Sequence, residues 1–213
     1  MKHYPHIEYA NKNLGDKVWG FNKYDGSNLR FEWSRKNSWC KFGTKKMMID
    51  EKHEIFGKAI PMFLNKYGDS LDSIFRKHKD YRNAREFVVF AEYVGENSFA
   101  GFHDEKDIMD IILFDIDMYK KGILPPKQFM NDFGHLHIPE LIYEGNLNQE
   151  LIQNVKNNIY NLKEGLVCKG TRKTKSQDVV WMVKIKTLDW LNKIKNKFGD
   201  EALKLELNNE TTI

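Results

Sequence analysis

The stretch Lys23-Tyr24-Asp25-Gly26-Ser27-Asn28 puts an amine, a carboxylate, a glycine and a carboxamide at fixed offsets early in the chain. An amine that sheds its proton is a nucleophile, able to form a covalent bond to a nucleotide phosphorus. Asp-Gly is also a common turn dipeptide. Taken alone, the stretch is equally a hairpin corner between strands at Val18–Phe21 and Leu29–Trp33. Near the other end, Val179–Lys186 alternates. Val179, Trp181, Val183 and Ile185 share one face, and Lys184 and Lys186 lie on the other. Two lysines about 7 Å apart on one strand face could grip a phosphate, or could guard a solvated edge strand. Glu92 interrupts an apolar strand and needs partners there, because an unpaired buried charge is costly. Glu164 and Lys169 bracket Gly165-Leu166-Val167-Cys168, whose glycine permits close backbone approach. Phe114 suits either a core or a stack on a base. His135-Leu136-His137 lacks an acidic or cysteine partner at ligand spacing and reads as a loop rather than a metal site.

The elements that must position these groups follow from periodicity. Val18–Tyr24, Leu29–Arg35 and Trp39–Gly43 read as strands, followed by a Thr44-Lys45-Lys46 loop, and residues 1–16 as an irregular lead-in. Asp50 is the expected N-cap of a helix carrying Ile55, Phe56, Ala59, Ile60, Phe63, Leu64 and Tyr67. Pro61 is expected to kink or split it, and Gly68 to separate a second short helix. Glu86–Val94 and Asp110–Tyr119 are apolar enough for strands buried on both faces. A short helix starts at Pro125-Pro126 and runs through Phe133. Then come a strand at Ile138–Tyr143, a helical stripe from Leu147 through Ile159 to Leu162, and strands at Gly165–Lys169 and Val179–Lys186. The tail Leu188–Leu207 is helical with a break at Gly199, its lysines on a solvated face. Short strands alternating with helices, without a Pro/Gly/Ser-rich boundary, predict a single α+β domain.

Composition sets the outer bounds. At 213 residues, 41% hydrophobic and 13% aromatic, the chain can bury a real core and is not of disordered type. A net charge of +4 leans toward anionic partners without being a nucleic-acid signature. The two cysteines, Cys40 and Cys168, make no disulfide framework and read as buried thiols of a reducing compartment. The start lacks a signal-peptide pattern, and the apolar runs are too short to span a membrane. A soluble intracellular protein is therefore expected.

The order of the motifs is more specific than any one of them. Lys23-x-Asp-Gly-x-Asn28, Thr44-Lys45, Phe90-Ala91-Glu92-Tyr93-Val94-Gly95, Phe114-Asp115, Glu164-Gly165-Leu166-Val167-Cys168-Lys169 and Lys184-Ile185-Lys186 together resemble the covalent nucleotidyltransferases. That superfamily contains the ATP-dependent ligases and the mRNA capping enzymes. The resemblance covers about Trp19–Thr187, leaving 188–213 as a helical tail. Asn28, where DNA ligases typically carry arginine, and the Phe114-Asp115 pair are similar to the RNA ligase 2 branch.

The resemblance implies one adenylyltransferase domain over 1–213, an α+β ligase fold of ATP-grasp-like type with antiparallel sheets flanked by helices. Lys23 would attack the α-phosphate of ATP, giving lysyl-AMP, with Mg²⁺ or Mn²⁺ as the metal. Lys184, Lys186 and the metal would lower the lysine's pKa and neutralise phosphate charge. Glu92 would bind ribose, Phe114 would stack on adenine, and Glu164 would lie near the metal and the nucleophile. Lys45 stands where relatives have arginine and lacks its bidentate fork. Asn22 replaces a glutamate or threonine, with backbone contacts to adenine retained, and Asn28 completes the nucleotide-binding set. AMP would pass to an RNA 5′-phosphate, and a 3′-hydroxyl would then seal the strand. The partners implied are RNA ends or a nicked duplex containing RNA, with no membrane. The compactness fits a phage-encoded enzyme acting in the host cytoplasm. The tail is too short for the separate C-terminal domain of larger relatives, so its helices are expected to pack on the core. A DNA nick ligase, a GTP-dependent capping guanylyltransferase and a catalytically inactive RNA-binding module are the alternatives. The intact Lys23, Glu92, Glu164, Lys184 and Lys186 speak against the last.

Overall fold

A computed structural model describes residues 3–10, 14–175 and 178–208. The chain divides into two compact units: Met1–Tyr4 with Asp25–Ile138, and Pro5–Tyr24 with Pro139–Ile213. It crosses from one to the other between Tyr24 and Asp25, inside the lysine motif.

The Pro5–Tyr24/Pro139–Ile213 unit holds a five-stranded sheet. Its strands, numbered along the chain, are β1 (Glu8–Tyr9), β2 (Lys17–Lys23), β9 (Leu141–Asn146), β10 (Gly165–Lys173) and β11 (Asp178–Lys186), in the order β1-β11-β10-β2-β9. All neighbours are antiparallel except β1, which runs parallel to β11. The lead-in is thus not wholly irregular: Glu8–Tyr9 pairs with Val183 and Lys184, giving β11 a neighbour on the side the sequence left open. Alternation sends Val18, Leu166, Cys168, Val183 and Ile185 into an apolar cluster with Leu151, Ile152 and Val155 of helix α4 (Gln149–Lys156). Asn148 caps α4 by accepting the Leu151 amide at 2.8 Å. The expected stripe stops early. Asn158 has φ 56°, and Ile159 is exposed rather than packed. Helix α5 (Leu188–Asn208) buries Trp190 and Ile194 and breaks at Gly199 (φ 85°, ψ 177°), as the sequence indicated.

The other unit holds a six-stranded antiparallel sheet in the order β5-β4-β3-β6-β7-β8: β3 (Ser27–Ser34), β4 (Ser38–Thr44), β5 (Met48–Ile49), β6 (Glu86–Gly95), β7 (Met109–Met118) and β8 (Gly122–Ile123). One face, with Leu29, Phe31, Trp33, Phe87, Val89, Ala91 and Tyr93, packs on helices α1 (Ala59–Phe63), α2 (Asp69–Lys77) and α3 (Pro126–Phe133). Phe31 stacks on Phe63 at 3.7 Å, and Phe75 on Phe87 at 3.9 Å. The helix here begins later than its periodicity implies. Asp50 accepts the Lys52 amide in a turn, and α1 starts at Ala59. Pro61 therefore lies in the first helical turn, where its missing N–H is not needed, and causes no break. Gly68 does not separate helices either, since α1 continues through a π-turn (Leu64–Gly68) into α2. Of the two thiols Cys168 is buried, but Cys40 is exposed on β4. No helix of the described residues is long and apolar enough to cross a membrane.

Candidate active site

Three neighbouring strands put the key charges on one cross-strand row. Lys23 ends β2 opposite Gly165 of β10, and Gly165 lies opposite Lys186 of β11. Glu164, the residue before Gly165, then meets both amines. Its Oε1 lies 2.8 Å from Lys23 Nζ and 2.6 Å from Lys186 Nζ. Gly165 is required for this approach, since a Cβ there would come within 2.1 Å of the Ile185 carbonyl oxygen.

The cluster is largely dry. The Glu164 side chain is 3% exposed, Lys186 5% and Lys23 23%. Burial alone would push the Glu164 carboxyl up. The Lys23 and Lys186 ammoniums more than offset this and hold it below its ordinary range. Burial pulls Lys184 down, Glu206 opposes that, and Lys186 and Lys23 add to the lowering. Lys184 lies over the Tyr9 ring at 4.6 Å, and Lys186 over Trp190 at 5.3 Å. Asn22 precedes Lys23 on β2 and donates its amide to the Glu140 carbonyl at 2.9 Å.

Glu206 of α5 joins this cluster, 2.7 Å from Lys186 and 3.8 Å from Lys184. Sequence reasoning missed it, because one acid in a mixed-charge tail helix carries no signal of its own. Tyr9 was missed for a similar reason, lying in a segment with no readable strand pattern.

The remaining candidates belong to the other unit. Asn28 on β3 pairs with Glu92 on β6, so these two are cross-strand neighbours on the sheet face opposite the apolar core. Phe114 is delivered by a bulge. Phe90 pairs with Asp115 and Ala91 with Leu113, leaving Phe114 as the extra residue between them. Its ring meets Tyr4 edge-on at 5.0 Å, and Tyr4 donates its hydroxyl to Asp115. Burial beside the Asp115 carboxylate pushes that phenol well above its usual range. Lys45 stands apart. It is exposed in a turn held by Thr44 Oγ1, which accepts the Lys46 and Met47 amides at 3.1 Å. Lys45 makes no hydrogen bond or ion pair with a described residue. Among the described residues no group of three or more His, Cys, Asp or Glu side chains could hold a metal.

No known family pattern and no curated protein sequence matches this chain. Solved structures do. A mutant of Naegleria gruberi RNA ligase with ATP and Mn aligns at TM-score 0.65 and 16% identity, over 91% of this chain and 58% of that one. The same ligase with PPi aligns at TM-score 0.63 and 14% identity, over 92% and 59%. An archaeal ATP-dependent RNA ligase aligns at TM-score 0.61 and 14% identity, over 99% and 59%. The chain thus spans less than two thirds of the length of these structures. The fold is that of a nucleotidyltransferase domain. Within that class, it is the form found in ATP-dependent RNA ligases.

Proposed function

We propose that this chain is an ATP-dependent RNA ligase acting through a lysyl-AMP intermediate. The observation that carries the reading is the Lys23–Glu164–Lys186 cluster, in which a partly accessible amine faces a buried carboxylate beside further cations. Lys23, the more exposed of the pair, gives up a proton to solvent. The lone pair then attacks the α-phosphorus. An N–P bond forms, the bond to the β-phosphate breaks, and pyrophosphate leaves with the electron pair. Lys184 and Lys186 would neutralise the charge that builds on the phosphates.

Asn22, Asn28, Lys45, Glu92 and Phe114 are assigned to nucleotide binding, with Glu92 on ribose and Phe114 on adenine. Lys45 is the least supported of these, because its exposed turn contacts none of the others. Glu164 is a hard oxygen donor that suits Mg²⁺ or Mn²⁺. A single carboxylate fits an ion that takes its other ligands from nucleotide phosphates. Such an ion would supply further charge neutralisation. AMP transfer to an RNA 5′-phosphate and sealing by a 3′-hydroxyl complete the reaction, on RNA ends or a nicked duplex containing RNA. Residues 1–213 are taken to serve as one adenylyltransferase domain.

The test is incubation with Mg²⁺ and ATP or GTP labelled at the α-phosphate, followed by denaturation. Label from ATP on the polypeptide is expected, and none on Lys23→Ala. Absence of label with both nucleotides overturns the enzyme reading, and label from GTP alone points to guanylyl transfer. Comparing RNA, DNA and hybrid nicks with single-stranded ends then sets the substrate.

A further inference from the structure

Given the nucleotidyl-transfer reading above, we propose that Glu206 is a built-in phosphate mimic. Its carboxylate competes with polyphosphate for the Lys184–Lys186 pair, and the helical segment 200–208 is a strap that must move aside for the phosphates to bind. The argument starts from the donor inventory of Lys186. An ammonium has three N–H groups. Two of them face Glu164 at 2.6 Å and Glu206 at 2.7 Å, and the ring of Trp190 lies 5.3 Å away. A phosphate oxygen can take one of those donors only if a carboxylate yields it.

Glu164 is poorly placed to yield. It is almost wholly buried, precedes a strand paired on both sides, and also holds Lys23. Glu206 is well placed. Its side chain is 25% exposed, and it is carried by a helix rather than a strand. The first half of α5 is anchored by buried Trp190 and Ile194. The chain then breaks at Gly199, whose φ of 85° suits a hinge, and the next turns carry Leu205 at 67% exposure. Beyond the two lysines, the Glu206 backbone accepts one long bond, from the Tyr9 hydroxyl at 3.4 Å. Carboxylate and phosphate oxygens compete for the same ammonium donors, so the occupant with more charge and more oxygens prevails.

The probe is inorganic tripolyphosphate, titrated calorimetrically into the 213-residue chain, Glu206→Gln and Lys186→Met. Glu206→Gln is expected to bind at least fivefold more tightly than wild type, and Lys186→Met to lose binding. Equal or weaker binding by Glu206→Gln overturns the proposal. In wild type, tripolyphosphate should speed amide hydrogen exchange across residues 200–208. Unchanged or slower exchange there overturns the strap. Both readouts are independent of catalysis. Label transfer with unchanged tripolyphosphate affinity in Glu206→Gln sinks the phosphate-mimic proposal and leaves the ligase reading standing, whereas tighter binding without label transfer sinks only the ligase reading.

Discussion

The two units bury very different things. The Asp25–Ile138 unit has an aromatic interior in which Phe31, Trp33, Phe63, Phe75, Phe87 and Phe133 are almost wholly inaccessible. Its candidate residues Asn28, Glu92 and Lys45 are half-buried or exposed. The Pro139–Ile213 unit has a smaller aliphatic cluster and, beside it, a buried ionic knot of Glu164 and Lys186 with Lys23 and Glu206. In the first, the apolar face that packs on the helices is distinct from the face that bears Asn28 and Glu92, although that second face also buries Arg30 and Phe90. In the second, stability and the candidate site rest on the same atoms, because each buried charge is tolerable only while its partners remain.

This contrast can be broken by substitution. The largest effect should come from Lys23→Ala, with α-phosphate label falling below detection and the thermal midpoint falling less than in Glu164→Ala, because Glu164 keeps Lys186 as a partner. Next is Glu164→Ala, which takes from Lys186 its buried partner and leaves it the more exposed Glu206. It should cost up to about 3–5 kcal/mol in denaturant unfolding. The double variant Glu164→Leu with Lys186→Met should recover most of that loss. If the double variant is no more stable than the single one, buried charge is not what couples stability to the site. Phe114→Ala in the other unit should weaken nucleotide binding by about 1–3 kcal/mol in a titration and change stability far less than Glu164→Ala.

Acid titration separates the units more gently. The Glu164 carboxyl is held below its ordinary value of 4.5 in the fold. Its stabilising contribution is therefore complete above that value and is lost as pH falls through the lowered folded one. Glu164→Gln should flatten this acid limb when unfolding free energy is measured against pH. The smallest effect concerns thiols. Exposed Cys40 should react readily with a thiol reagent at pH 8. Cys168, pushed up to about 12 by burial, should react only on unfolding.

Much of this was legible along the chain. Alternation placed Lys184 and Lys186 on the face of β11 opposite Val183 and Ile185, and short-range sterics marked Gly199 as the break in α5. The motif order pointed to the ligase fold. These are local properties, because side-chain periodicity and backbone freedom act over a few residues. Other features were out of reach. Pro61 looked like a helix breaker because its effect depends on where the helix starts, which turns and tertiary packing decided. The pairing of Glu8–Tyr9 with β11 and the Phe114 bulge are matters of register between strands distant in sequence. Glu206 shows the limit most plainly. The sequence by itself determined the longer strands and which lysines they carry. Only the tertiary structure decided which carboxylates those lysines face, because an ion pair is set by three-dimensional distance and desolvation, neither of which has a signature in residue order.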